Sequence, residues 1–301
     1  MILMETHIVP EEAEPVRLLD YVLKVFPVLT TRSSAKKALK KGAVLVDGEQ
    51  RPSGWWIKAG MKLELFDPEL NPPKILPMDL EVLYEDDDLA VVNKPAGIAV
   101  SGNKYITIQN ALMHNLIPSA AEDALAWPRP VHRLDFPTSG LLVIAKTRSA
   151  VADLGRQFEE KTVRKRYRAI VQGKLPPSGR IESPVNGQPA RTLYKSVEYV
   201  PSPMTKWVTL VDLFPETGRT HQLRIHLSSL GYPIVGDKQY TGSRPLLKGK
   251  GLFLAAVEIA FAHPRTEKPV KITIDEPSKF RALLKKERRG VEKKPHGEQE
   301  S

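Results

Sequence analysis

The sequence predicts an α+β protein in two parts, a small basic unit over residues 15–66 and a larger mixed α and β domain over residues 78–277. Three observations predict it. Apolar residues first recur at helical spacing and then alternate within the small unit. The stretch 67–77, DPELNPPKILP, holds four prolines and reads as a linker. Beyond it, strand-like and helix-like segments interleave without an internal repeat. At 301 residues the chain can bury a substantial core, as one large domain or as two.

The first unit reads helix, helix, strand, turn, strand. Pro15 suits a first helical turn, and Leu18, Leu19, Val22, Leu23 and Phe26 follow at helical spacing. Ser33 or Ser34 can cap a second helix carrying Ala35, Ala38 and Leu39, and Gly42 supplies its stop. AVLV then runs into Asp47-Gly48, a hairpin-turn signal, and Met61–Phe66 alternates as a strand. In the larger domain, DLAVVN at 88–93, Leu141–Ala145, RYRAIVQG at 166–173 and WVTLVDL at 207–213 read as strands. Ser149 can cap a helix with Val151, Leu154 and Phe158 on one side, and 218–231 carries Leu223, Leu227 and Leu230 at helical spacing. The segment 278–301 is very basic, ends in polar residues and reads as a disordered tail.

Composition narrows the function classes. There are no cysteines, which excludes disulfides and thiolate metal sites and favours a reducing cytoplasm. No apolar run reaches the roughly 18 residues of a membrane span, and MILMETHIVPEEAEP lacks the basic start and apolar core of a secretory signal. A net charge of +10 favours a polyanionic partner, nucleic acid before membrane. The charge concentrates in residues 15–66, where ten Lys or Arg face four Asp or Glu. Arg32, Lys36, Lys37, Lys40 and Lys41 lie on or beside the short second helix, a pattern that can neutralise phosphates or simply solvate a helix face. There is no GxGxxG after a strand, no P-loop and no HExxH, and His221 and His226 stand off one helical face, so neither cofactor nor metal is expected.

The chemically loaded stretch is VHRLDFPTSGLLVIAK, residues 131–146. His132, Arg133, Asp135, Thr138 and Ser139 crowd the lip of the strand at 141–145. Pro137 fixes the backbone after Phe136, so Asp135 is either a pre-positioned carboxylate or an Asx turn that holds the loop.

This stretch closely resembles the HRLD-x-x-TSG signature of RluA-type pseudouridine synthases. Three further motifs follow the family's order: NKPAG at 93–97, KRYRAIVQG at 165–173 and GRTHQLRIHLSSLGYPIVGDKQY at 218–240. The resemblance runs from about residue 80 to 275. It implies a catalytic domain built on a mixed, mainly antiparallel sheet, and isomerisation of uridine in RNA without a cofactor. RLLDYVLKVFP and TRSSAKKALKKGAVLVDG in turn resemble the S4-like RNA-binding module, which implies docking on structured RNA through Arg32, Lys36, Lys37 and Lys40. One departure stands out. After NKPAG the family often continues with an apolar residue and His-Pro, whereas this chain reads IAVSGNKYIT, which leaves the RNA target open.

The resemblance implies Asp135 as the essential group, ionised to attack the ribose or the base or to remove a ribose proton. The sequence does not choose among these. A carboxylate taken out of water tends to hold its proton and needs a cation, for which the resemblance implies Arg224. It implies Tyr167 as the aromatic face beneath the uracil. Arg133 would fill the space of the everted nucleotide or hold the adjacent phosphate; His132 would support the loop or the RNA, and Lys94 would meet phosphate or buttress the site. The expected activity is an RNA pseudouridine synthase acting on large-subunit ribosomal RNA, as a cytoplasmic monomer. The alternatives are an inactive RNA-binding or ribosome-assembly protein and a tRNA-directed synthase. A glycosidase would want a second acidic group, which these motifs lack.

Overall fold

A computed structural model of the chain describes residues 3–29, 31–66, 74–102, 104–241 and 250–292. The chain divides into two compact units, Met1–Pro73 and Lys74–Ser301. Most of the expected linker, residues 67–73, lies outside the described residues.

The first unit contains β1 (Leu3–Ile8), β2 (Val16–Arg17), α1 (Leu18–Val25), α2 (Arg32–Lys40), β3 (Val44–Val46), β4 (Trp56–Ile57) and β5 (Lys62–Phe66). Strands β1, β5 and β3 form an antiparallel sheet, and β2 pairs with β4. The expected start at residue 15 is too late. The mostly exposed β1 joins through main-chain pairing, a signal its side chains do not carry, and Val9 enters the core. Pro15 lies outside the helix, because Val16 and Arg17 are taken by β4. The free amides at the start of α1 are met by Trp55 O and Ser53 O, at 2.8 and 3.1 Å from the nitrogens of Leu18 and Leu19. Thr31, rather than either serine, caps α2, with Ser34 completing a reciprocal capping box. Ala35, Ala38 and Leu39 turn inward, and Lys36, Lys37 and Lys40 remain outward.

The second unit holds β6 (Glu81–Glu85), β7 (Leu89–Lys94), α3 (Ile108–Asn115), β8 (Ala124–Pro130), β9 (Ser139–Thr147), α4 (Arg148–Glu159), β10 (Arg164–Gln172) and β11 (Ser178–Ile181). It continues with β12 (Thr192–Ser202), β13 (Lys206–Pro215), α5 (Gln222–Ser229), β14 (Leu254–Ala262), β15 (Pro269–Thr273) and α6 (Ser278–Glu292). Ten strands make one sheet in the order β11-β12-β13-β10-β14-β9-β7-β6, with β15 on β14 and β8 on β9. All pairings are antiparallel except β9 with β14. The chain thus has the α+β architecture with a mixed, mainly antiparallel sheet.

The β9–β14 seam positions the site. It pairs only Ser139 with Ala255 and Gly140 with Ala256. Beyond it β9 continues with β7 and β8, and β14 with β10 and β15, so the sheet parts into two leaves. Gly140 has φ +111°, and a Cβ there would lie 2.1 Å from Ala256 O. Only glycine permits this approach. Helices α3 and α4 cover opposite faces of β7 and β9. Ala90, Val92, Leu142 and Ile144 face one core, and Leu89, Val91, Leu141, Val143 and Ala145 the other. Burial on both faces explains the continuous apolar run at 141–145.

Two further expectations are corrected. The cap of α4 is Thr147, whose Oγ1 accepts from Ala150 N–H, while Ser149 lies inside the helix. The basic tail is not disordered through residue 292. It folds as α6, because Phe280, Leu283, Leu284 and Glu287 form a buried stripe at helical spacing beneath the cations. Residues 293–301 lie outside the described residues.

Candidate active site

Asp135 sits on the loop that enters β9 at the seam, on the wall of a cleft of about 490 Å³. The loop is tied at several points. Thr138 N–H donates to Asp135 O at 3.0 Å, closing a turn around Pro137. Gly97 N–H donates to Phe136 O at 2.8 Å, so the NKPAG segment anchors the loop from outside. The Lys94 ammonium donates to Pro95 O at 2.8 Å and to Phe136 O at 3.4 Å.

Lys94 is fully buried, so the expectation that it meets phosphate is corrected: it buttresses the loop. Burial lowers its pKa to about 8, against the opposing pull of Asp135. His132 lines the cleft and also supports the loop. Its Nε2 accepts from Val143 N–H at 3.0 Å, its ring stacks on Phe158 at 4.7 Å, and burial followed by the Lys165 charge lowers its pKa to about 3. Arg133, two residues before Asp135, is exposed at the cleft, and its side chain has no ion pair or hydrogen-bond partner among the described residues.

The other leaf brings Tyr167 and Arg224. Tyr167 stands on β10 where the register with β14 slips by a bulge, and it lines the cleft. Burial, and then the charge of Asp135, raise its pKa, so the phenol stays protonated. Arg224 is on α5, buried, with Nη1 3.7 Å from Asp135 Oδ2. Its primary partner is one that the sequence reading missed. Nε and Nη2 donate to the two oxygens of Asp237 at 2.7 and 2.9 Å. Asp237 is buried and also accepts from the backbone of Gln239 and Tyr240. Burial works against the Asp237 charge, but Arg224 and these amides hold its carboxyl below the usual range. Burial likewise works against the Arg224 charge, and Asp237 more than offsets it. Three guanidinium nitrogens thus divide between two carboxylates.

Two more residues complete the wall. His221 opens α5 with φ 58°, donates or accepts at Nδ1 with Tyr240 Oη at 2.9 Å, and places Nε2 3.9 Å from Asp135 Oδ1. The turn before it shortens the expected helix, which begins at Gln222 instead of Gly218. Gln222 is buried and locks that turn. Its amide donates to Arg191 O and Thr192 Oγ1, and its carbonyl accepts from Thr217 Oγ1 and Arg219 N–H.

Of the expected residues, Asp135, Tyr167, Arg224, Arg133 and His132 all line this cleft. Arg32, Lys36, Lys37 and Lys40 belong to the first unit, where Arg32 is ion-paired with Asp20 and all four are exposed. Among the described residues, Asp86, Asp88 and His263 hold possible ligand atoms within 4.8 Å of one another. They do not line the cleft, His263 bonds Asp86, and Arg265 forks onto Asp88. No described helix is long and apolar enough to cross a membrane.

Comparison with known proteins shows the family to which the chain belongs. A family model described as RNA pseudouridylate synthase matches residues 88–229. An uncharacterized RNA pseudouridine synthase of Aquifex aeolicus is 32% identical over 297 residues, covering 90% of this chain and 94% of that protein. The ribosomal large subunit pseudouridine synthase C of Vibrio vulnificus is 36% identical, covering 80% and 83%. Among solved structures, human RNA pseudouridylate synthase domain containing 1 aligns with a TM-score of 0.54 at 27% identity, over 66% of this chain and 84% of that one.

Proposed function

Because the chain belongs to the RNA pseudouridylate synthase family, we propose that it isomerises uridines of large-subunit ribosomal RNA, with Asp135 as the essential group. The observation that carries the assignment is the Asp135 carboxylate on an open cleft wall with the Arg224 guanidinium 3.7 Å behind it. The reaction breaks the bond from uracil N1 to the ribose, turns the base, and joins C5 to the same ribose carbon. The hydrogen on C5 leaves as a proton and N1 gains one, so nothing is added or lost overall. An ionised Asp135 serves as nucleophile or as base. Arg224 faces it from 3.7 Å without forking onto it, because Asp237 already holds two of the three guanidinium nitrogens.

Tyr167 offers its ring to the uracil and its protonated hydroxyl to the developing charge on the base. Arg133, exposed and unpaired among the described residues, occupies the gap left by the everted nucleotide or meets its phosphate. The first unit acts as an S4-like docking module with Lys36, Lys37, Lys40 and Arg32 toward phosphates. The chain works as a cytoplasmic monomer.

The test is release of tritium from [5-³H]uridine-labelled ribosomal RNA by the full chain. Wild type releases label from large-subunit RNA in preference to tRNA, and Asp135→Asn binds RNA but releases none. Wild-type release by Asp135→Asn would overturn the catalytic assignment. Equal or greater release from tRNA would overturn the substrate.

A further inference from the structure

We infer that the first unit carries a stacking site for an unpaired RNA nucleotide at Trp55, joined through Arg51 to a phosphate groove beside α2. The inference rests on the reading that this unit docks RNA, and it names what part of the RNA it takes. Lys36, Lys40, Gln50 and Arg51 line a groove between α2 and the segment 50–53. The groove is held open by structure: the Gln50 amide donates to Leu39 O at 2.9 Å and to Lys40 O at 3.2 Å, fastening the segment to the end of the helix. Three cations thus face one rigid slot, with Glu49 pairing Arg51 at 2.5 Å. That is a binding surface for backbone phosphate.

The aromatic residues that follow it in the chain lie outside the core of the unit. Trp55 and Trp56 are adjacent and 38% and 48% exposed, whereas the next residue, Ile57, is 1% exposed and anchors the strand. Each indole lies against an arginine. Arg17 Cζ is 4.0 Å from the centroid of Trp56, and Arg51 Cζ is 4.6 Å from that of Trp55. Arg17 also bonds Gly54 O, which makes the Trp56 pair self-contained. Arg51 belongs both to the Trp55 stack and to the groove. An everted base piles on indole and guanidinium planes alike, while a base inside a duplex offers neither face. The Trp55 backbone is fixed as well, since its carbonyl accepts from Leu18 N–H at the start of α1. Phosphates in the groove and a base on Trp55 together select a loop or bulge over a plain helix.

The test compares two RNAs with the full chain across a salt series: a hairpin with a uridine-free single-stranded loop, and a blunt duplex of equal length. Trp55→Ala weakens hairpin binding by roughly tenfold, leaves duplex binding and the salt slope unchanged, and Trp55→Phe recovers most of the loss. In the wild-type chain the hairpin quenches indole fluorescence and the duplex does not, a readout independent of any variant's folding. Hairpin binding unchanged in Trp55→Ala, equal loss on both RNAs, or absence of hairpin-specific quenching overturns the stacking site. Lys36→Gln with Lys40→Gln tests the underlying reading separately. It flattens the salt slope on both RNAs, and an unchanged slope would remove the docking role itself.

Discussion

Replacing Asp237 with asparagine removes one negative charge from behind the Asp135–Arg224 pair and almost no volume. Asparagine keeps one acceptor for the amides of Gln239 and Tyr240, so the local turn survives. The guanidinium loses one of its two charge-assisted bonds, each worth about 1.5–3 kcal/mol, and remains buried with a single carboxylate 3.7 Å away. Arg224 then swings toward Asp135 or out of line with it. At 3.7 Å the attraction between Arg224 and Asp135 is about 4 kcal/mol at an effective dielectric of about 20, and solvent reaching a carboxylate 16% exposed reduces it to roughly 2–3 kcal/mol. Converted at 1.36 kcal/mol per decade, kcat falls on the order of 10²-fold while KM for RNA stays near the wild-type value. The assay is single-turnover tritium release at saturating enzyme, with a urea melt alongside to register the expected loss of about 2–4 kcal/mol. A variant with wild-type kcat and midpoint would refute the argument that Asp237 aims Arg224. A raised KM at constant kcat would place its effect on binding instead.

Three other outcomes are expected. Gly140→Ala forces a Cβ against Ala256 O at φ +111°, so urea melts should show a loss of at least about 3 kcal/mol together with loss of activity, and a wild-type midpoint would contradict the seam. Lys94 has a folded pKa of about 8 against 10.5 when exposed, so the unfolded chain binds more protons between those values and stability from this group rises with pH across that window, by on the order of 3 kcal/mol; Lys94→Met should lack that rise in melts at pH 8 and 10. Phe280→Ala should cost about 3–5 kcal/mol in the same melts, because Phe280 is the fully buried residue of the inward stripe of α6, and a neutral effect would return residues 278–292 to a loose tail.

Most of the site was legible because its parts are local in sequence. The turn 135–140, the basic helix α2 and the strand at 141–145 each follow from adjacent residues, through proline, glycine, helical spacing and apolar runs. What was not legible depends on contacts distant along the chain. Asp237 reads as a polar residue in a loop until folding places it against Arg224, thirteen positions away and across a turn. Lys94 reads either as a phosphate contact or as a buttress because charge in a motif suggests exposure, and only the packing around β7 shows its ammonium buried and bonded to backbone carbonyls. The tail misled for the opposite reason. Its basic residues masked four inward positions at helical spacing. Strand β1 had no apolar alternation to announce it, since an edge strand held by main-chain bonds needs none.

The parting of the sheet at Gly140 has a kinetic corollary. Asp135 and its Lys94 prop arrive on one leaf, and Tyr167, Arg224 and Asp237 on the other, so neither leaf contains a working centre. During refolding, each leaf can acquire its own strand pairing, but Ile259 and Phe261 of β14 share a core with Leu141 and Val143 of β9, so that core closes only when the leaves meet. Catalysis then switches on only when two backbone segments meet across a single glycine, which makes regained turnover a clock for that final encounter.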